Sequence, residues 1–239
     1  MDASRTQPEN AGQQDARFQE AGPQGATPAQ KALPEVRPRG VIWFIRHGET
    51  DWNAAGRLQG RRDTELNRTG KRQAAAAGQL LGGLLADPTR VLWLASPLAR
   101  AARTMEILRQ TMGLEPAGYQ ADDRLAEISF GRWEGHPWKD IKARHPAAHA
   151  ARKAAPWAYA PPGGESYADA AARLAPAIAA LDGDAVIVSH GGIARALLAL
   201  TCAMDPVEAV RFPVWQGRVL RIDAGGWRWL PEDVPPGHG

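Results

Sequence analysis

The sequence predicts an α/β fold with a parallel sheet, on three observations. Apolar runs at 41–45, 91–95 and 184–189 are short and rich in β-branched and aromatic residues, as strands buried on both faces require. Alanine- and leucine-rich stretches with helical spacing separate them, and such a succession returns each strand in the same direction. Charged or ionisable residues stand just beyond each run: Arg46 and His47, Arg100, and His190. Open parallel sheets place ligands in the crevice outside the carboxyl ends of their strands.

Composition narrows the function classes. At 239 residues with 44% apolar content, the chain can build one sizeable α/β domain. Net charge is +3 without a polybasic run, which suits an anionic small molecule and gives no reason to expect a nucleic-acid partner. Cys202 is the single cysteine, so no intramolecular disulfide or multi-cysteine zinc site can form, and a reducing compartment fits. The first residues lack signal-peptide order, and no apolar run approaches the ~20 residues that span a bilayer. The expectation is a cytoplasmic protein with no membrane partner, of an oligomeric state that the sequence leaves open.

Residues 1–39 are rich in Gln, Pro, Gly and Ala, with Phe18 their only aromatic residue. Such a segment cannot bury enough surface to offset its ordering entropy, so it reads as a disordered tail. The domain is expected over 40–232, with 233–239 a second, frayed tail. The strand at 41–45 opens into a polar loop, Gly48 to Gly60, ahead of a helix from Gly70 to about Leu85. After the strand at 91–95, Ser96 and Pro97 read as the N-cap and first residue of a helix that carries Arg100 in its first turn. From Gly113 to Gly135 the chain is irregular, with a short strand near 118–120, and it presents Glu127 among apolar residues. Residues 137–160 form short helical patches cut by Pro146 and Pro156, read as a small insert or lid over the site. Ser166 caps a helix over 167–181 that contains Pro176. A helix at 193–203 follows His190, and 217–222 with 227–230 alternate like a closing hairpin.

With parallel strands the three junctions open on one edge, so two arginines, two histidines and helix N-terminal N–H groups converge there. Such a cage fits a phosphate monoester, which carries roughly −1.5 to −2 charge near neutral pH. Arginine's planar fork grips the oxygens bidentately and keeps its charge. Phosphoryl transfer needs an in-line nucleophile, stabilisation of the equatorial oxygens and a proton for the leaving group. Neutral His47 can attack phosphorus, while Arg46, Arg100 and His190 can hold the oxygens. Glu127, expected to be buried by Ile128, Phe130 and Trp133, can protonate the leaving alkoxide and later deprotonate a water.

Six ordered motifs extend the pattern: Arg46-His-Gly-Glu-Thr-Asp-Trp-Asn53, Leu58-Gln-Gly60, Ser96-Pro-Leu-Ala-Arg-Ala-Ala-Arg-Thr104, Glu127 with Gly131-Arg-Trp-Glu-Gly135, Pro162-Gly-Gly-Glu-Ser166 and Ser189-His-Gly-Gly192. Together they resemble the histidine phosphatase superfamily, also called the phosphoglycerate mutase-like family. The resemblance implies a three-layer α/β/α sandwich with a mostly parallel central sheet and a phosphohistidine at His47. It further implies Glu127 as proton donor, neither metal nor other cofactor, and a phosphate pocket lined by Thr50, Asn53, Gln59 and Gly191.

Glu127 is followed by Ile-Ser-Phe-Gly rather than the Arg-His-Tyr-Gly of the cofactor-dependent mutases, and the insert is shorter and less basic. The chain therefore looks like the phosphatase branch. The expectation is a metal-independent phosphomonoesterase acting on a small phosphorylated metabolite. A mutase-type isomerase and a non-catalytic phosphate-binding module are the alternatives. His145 and His149 stand four apart, but Pro146 follows the first and no acidic cluster joins them, so no metal site is expected. Trp133, His136, Trp138, Trp157 and Tyr159 suggest an aromatic-walled mouth for a bulky alcohol. The Pro-Gly-Gly-Glu-Ser turn and insert are similar to those of α-ribazole phosphatases and broad-specificity phosphatases.

Overall fold

The computed structural model describes residues 36–232. From the amino end these form β1 (Ile42–Arg46), α1 (Asp51–Ala54), α2 (Arg68–Leu84), β2 (Leu92–Ala95), α3 (Ala99–Thr111) and β3 (Gln120–Ala121). The insert contributes α4 (Trp138–Arg144) and α5 (Pro146–Ala154). The chain continues through α6 (Tyr167–Ala179), β4 (Ala185–Ser189), α7 (Gly191–Thr201), α8 (Pro206–Arg211), β5 (Val219–Asp223) and β6 (Gly226–Leu230).

All six strands join one mixed sheet in the order β3-β2-β4-β1-β5-β6. The first four in that order run parallel, and the hairpin β5-β6 adds antiparallel to β1. Arg46 lies opposite Ser189, and Ala95 opposite Val188, so β1, β2 and β4 end at one level. This register brings the three expected junctions to a single edge.

Alternation along each strand explains the layers. Ile42, Phe44, Leu94, Ala185 and Ile187 face Leu174 and Ile178 of α6 and Ile193 and Leu197 of α7. Trp43, Ile45, Trp93, Val186 and Val188 face Ala77 and Leu81 of α2 and Met105 and Leu108 of α3. Each such valine, leucine, isoleucine, phenylalanine or methionine contributes about 1.5–3 kcal/mol on burial, so the strand ends stand on a packed, stiff base. Gly78 lets the two helices of the second layer approach closely, since a Cβ there would stand 2.6 Å from the Leu108 carbonyl oxygen.

Several local expectations change. Helix α3 starts at Ala99 without a side-chain cap of its own, because the Ala99 N–H donates 2.8 Å to Asp63 Oδ1 from a distant loop. Ser96 Oγ instead accepts from Leu98 N at 3.3 Å and lies 2.7 Å from His190 Nε2. Asn67 caps α2 by accepting from Gly70 N at 2.9 Å, so that helix begins earlier than expected. Pro146 opens α5 rather than ending a helix. The polar loop contains the short α1, capped by Thr50 and Asn53 together, and α8 is an unexpected helix capped by Asp205. Ser166 does cap α6, in a reciprocal box with Asp169.

Val36, read from sequence as tail, is 9% exposed and joins the core, with its N–H on Leu200 O at 3.0 Å. The rest of the expected tails, 1–35 and 233–239, lies outside the described residues. Among the described residues no helix is long and apolar enough to cross a membrane.

Candidate active site

Where β1 ends, His47 is 2% exposed. Its Nδ1 lies 2.7 Å from Gly48 O, and Arg100 Nε lies 3.3 Å from its Nε2. A carbonyl only accepts and a guanidinium only donates, so Nδ1 carries the proton and Nε2 keeps its lone pair. Burial, then the charges of Arg100 and Arg46, hold the imidazole well below its ordinary value, so it is neutral at physiological pH.

Arg100, fully buried in the first turn of α3, donates 2.8 Å to Arg62 O and 2.7 Å to Gly60 O through its two Nη atoms. Thr104 sits one turn further on. Its Oγ1 donates 2.7 Å to Arg100 O and accepts from Gly48 N at 3.0 Å, tying the helix to the strand end. Arg46 donates 2.7 Å from Nη1 to Val214 O, and burial, with Arg195 beside it, brings its guanidinium down to about 10.

His190 caps the start of α7 and is fully buried, its ring centroid 5.1 Å from that of His47. Its Nε2 lies 2.7 Å from Ser96 Oγ. Burial, then Arg100, His47 and Arg46, push its titration well below the ordinary range. Among the described residues, His190 Nδ1 and Arg46 Nε are buried without a hydrogen-bond partner. Leaving such groups unsatisfied costs about 1–3 kcal/mol each, a cost that anion oxygens would offset.

Glu127 accepts from Ile128 N at 2.9 Å and Gly192 N at 3.2 Å. It is only half-buried, contrary to expectation, because Phe130 and Trp133 turn away to pack with Leu58 and Ile141. Ser189 Oγ, at the end of β4, donates 2.7 Å to Leu125 O and anchors this loop to the sheet.

Thr50 and Gln59 are buried, and the contacts of Thr50 with Asn53 and with Gln59 orient the two amides. Asn53 Oδ1 lies within 3.1 Å of Thr50 Oγ1 and Gln216 Nε2, and Gln59 Oε1 accepts from Thr64 Oγ1 at 2.6 Å and lies 3.0 Å from Thr50 Oγ1. Both amide oxygens are engaged by protein donors, which leaves the amide N–H groups as donors for an anion. Gly191 follows His190 as the first residue of α7, and Arg46 Nε and Arg195 Nη1 stand 3.6 and 3.7 Å from where its Cβ would be. Gln216 donates 3.1 Å to His47 O as well as to Asn53, and neither it, Ser96 nor Arg195 was anticipated as part of the site.

The aromatic mouth is not formed as expected. Trp133 is 1% exposed and stacks on Tyr159, Trp138 meets it edge-on, and Trp157 stacks on Tyr167. Of that set His136 borders a cavity of about 420 Å³, beside Trp52, Arg57, Arg62, Asp63 and Glu134. Among the described residues no group of three or more His, Cys, Asp or Glu side chains is placed to hold a metal ion.

Comparisons with known proteins show what the chain is similar to. A glucosyl-3-phosphoglycerate phosphatase of Mycobacterium tuberculosis (strain ATCC 25618 / H37Rv) is 39% identical over 216 residues, covering 84% of this chain and 89% of its own. A 2,3-bisphosphoglycerate-dependent phosphoglycerate mutase of Azorhizobium caulinodans is 32% identical over 177 residues, covering 70% and 83%. The solved structure of a mycobacterial glucosyl-3-phosphoglycerate phosphatase complexed with VO3 superposes with a TM-score of 0.66 at 33% identity, covering 80% of this chain and 96% of that one. Residues 42–233 match the family model of the histidine phosphatase superfamily (branch 1), and the chain belongs to that family.

Proposed function

We propose that this chain is a metal-independent phosphomonoesterase that hydrolyses a small phosphorylated metabolite through a phosphohistidine at His47. The observation that carries the reading is the state of His47: buried, neutral, its Nδ1–H donated to Gly48 O and its Nε2 lone pair directed at the Arg100 guanidinium. In this reading the phosphoryl group enters between them. Arg46, Arg100 and His190 hold its oxygens, with the Asn53 and Gln59 amides and the Gly191 N–H as further donors and Thr50 orienting those amides.

His47 Nε2 then forms a bond to phosphorus as the ester P–O bond breaks, and Glu127 delivers its proton to the departing alkoxide. A water next attacks the phosphohistidine. Glu127 takes a proton from it, the P–N bond breaks, and inorganic phosphate leaves with His47 neutral again. The cationic cage stabilises charge on the equatorial oxygens in both steps.

Glucosyl-3-phosphoglycerate heads the substrates to be screened, because the mycobacterial phosphatase named for it is 39% identical. A cytoplasmic site of action and a catalytic domain that begins near residue 40 belong to the same proposal. Phosphate release should survive a chelator. A panel of phosphorylated metabolites, with a coupled mutase assay primed by bisphosphoglycerate, tests the reaction class. Phosphate release should dominate, and rapid interconversion of phosphoglycerates with little release would overturn the hydrolase reading.

A further inference from the structure

Arg173 on α6 donates to Glu165, just before that helix's cap, through two parallel bonds of 2.9 Å, Nε to Oε1 and Nη2 to Oε2. The pair is largely shielded, its side chains 19% and 15% exposed. The same guanidinium reaches out of the helix, with Nη1 donating 2.6 Å to Arg124 O and Nη2 3.0 Å to Ala126 O. Those carbonyls belong to the segment immediately before Glu127. From the other side Arg61 Nε approaches Glu127 O at 3.4 Å, while its Nη2 lies 3.5 Å from Glu165 Oε2. The Glu165 N–H closes the ring by donating 2.9 Å to Ser129 O.

We propose that Glu165 and Arg173 are positioning residues for the proton donor: their ion pair holds the Arg124 and Ala126 carbonyls and thereby aims the Glu127 carboxylate. The inference rests on the reading of Glu127 as that donor. A segment outside helix and sheet keeps its place only where its backbone is tied. Arginine's fork can satisfy a carboxylate and two carbonyls at once, which a lysine ammonium cannot match in geometry. A displacement near 1 Å at a reacting group can lower a rate by about a hundredfold.

A misplaced general acid harms substrates unequally. An alkyl alkoxide needs the proton as it leaves, whereas p-nitrophenolate departs without one. The test is kcat/KM for glycerol 2-phosphate and for p-nitrophenyl phosphate in the native enzyme, Glu127→Gln, Arg173→Lys, Glu165→Gln and the double variant Glu127→Gln/Arg173→Lys. Circular dichroism checks each fold. Glu165→Gln keeps the side-chain volume and one acceptor oxygen, so it carries the test if Arg173→Lys does not fold.

Glu127→Gln should slow the alkyl ester by about a hundredfold more than the aryl ester, the scale of general acid catalysis. Arg173→Lys and Glu165→Gln should each reproduce at least about a tenfold part of that split. In the double variant Arg173→Lys should add nothing to it, since both changes remove one function. Equal losses on both esters in Arg173→Lys and Glu165→Gln, beside a clear split in Glu127→Gln, would overturn the positioning role alone. No split in Glu127→Gln would overturn the donor assignment and this proposal with it.

Discussion

Replacing Gly192 by alanine measures how closely the proton donor is placed. A methyl at that position would stand 2.4 Å from Glu127 Oε1 and 2.8 Å from Ile128 Cδ1, against ordinary contact that begins at 3.4 Å. The carboxylate must therefore retreat by about 1 Å, a shift that can cost roughly a hundredfold in rate. Stability should fall by no more than about 2 kcal/mol. Overpacking costs about 1–3 kcal/mol, and exchanging a helical glycine for alanine returns up to about 1 kcal/mol. The assay is kcat/KM on glycerol 2-phosphate and on p-nitrophenyl phosphate, with a melting curve. The alkyl ester should slow about a hundredfold, the aryl ester by less than about tenfold, and the fold should persist. Unchanged alkyl turnover in a folded Gly192→Ala would refute the placement of Glu127 as a finely set acid.

Acid should destabilise the fold through His47 and His190. Both imidazoles are held well below their ordinary value, so the unfolded chain binds protons first and stability is lost as pH falls below about 6.5 towards the folded-state values. Denaturant melts at pH 7.5 and 5.5 should differ by up to about 1.4 kcal/mol for each histidine, and phosphate should raise the stability at both pH values by binding the folded form. A flat profile would contradict the burial of both rings. Gly48→Ala should cost about 3 kcal/mol in a chemical melt, because its Cβ would stand 2.3 Å from Gly70 O, a backbone atom that cannot swing aside. Arg100→Lys should cut kcat/KM by a hundredfold or more on every ester, since an ammonium cannot serve Gly60 O, Arg62 O and a phosphoryl oxygen together.

Much of this was legible in the residues. Strands β1 and β4 announce themselves because both faces are buried and every position is apolar until the polar residues begin at Arg46 and at Ser189, just before His190. Parallel connection then suffices to bring Arg46, His47, Arg100 and His190 to one edge. Contacts between distant segments left no local signal. Gln216 supports His47 across 169 residues, and its surroundings carry no motif. Ser96 read as a helix cap because capping preference is a short-range rule, whereas the actual acceptor for the Ala99 N–H is Asp63, 36 residues earlier. The aromatic residues after Glu127 misled in the opposite way. A composition that would suit a binding mouth here packs an insert, Trp133 on Tyr159 and Arg152 over Trp138.

The central claim is covalent, and one measurement addresses it directly. Rapid quench in base, followed by phosphorus NMR and peptide mapping, should find a base-stable, acid-labile phosphoramidate on Nε2 of His47 during turnover. His47→Ala should lose that signal and the turnover together. Steady phosphate release with no histidine-bound phosphorus, or full activity in His47→Ala, would contradict the account.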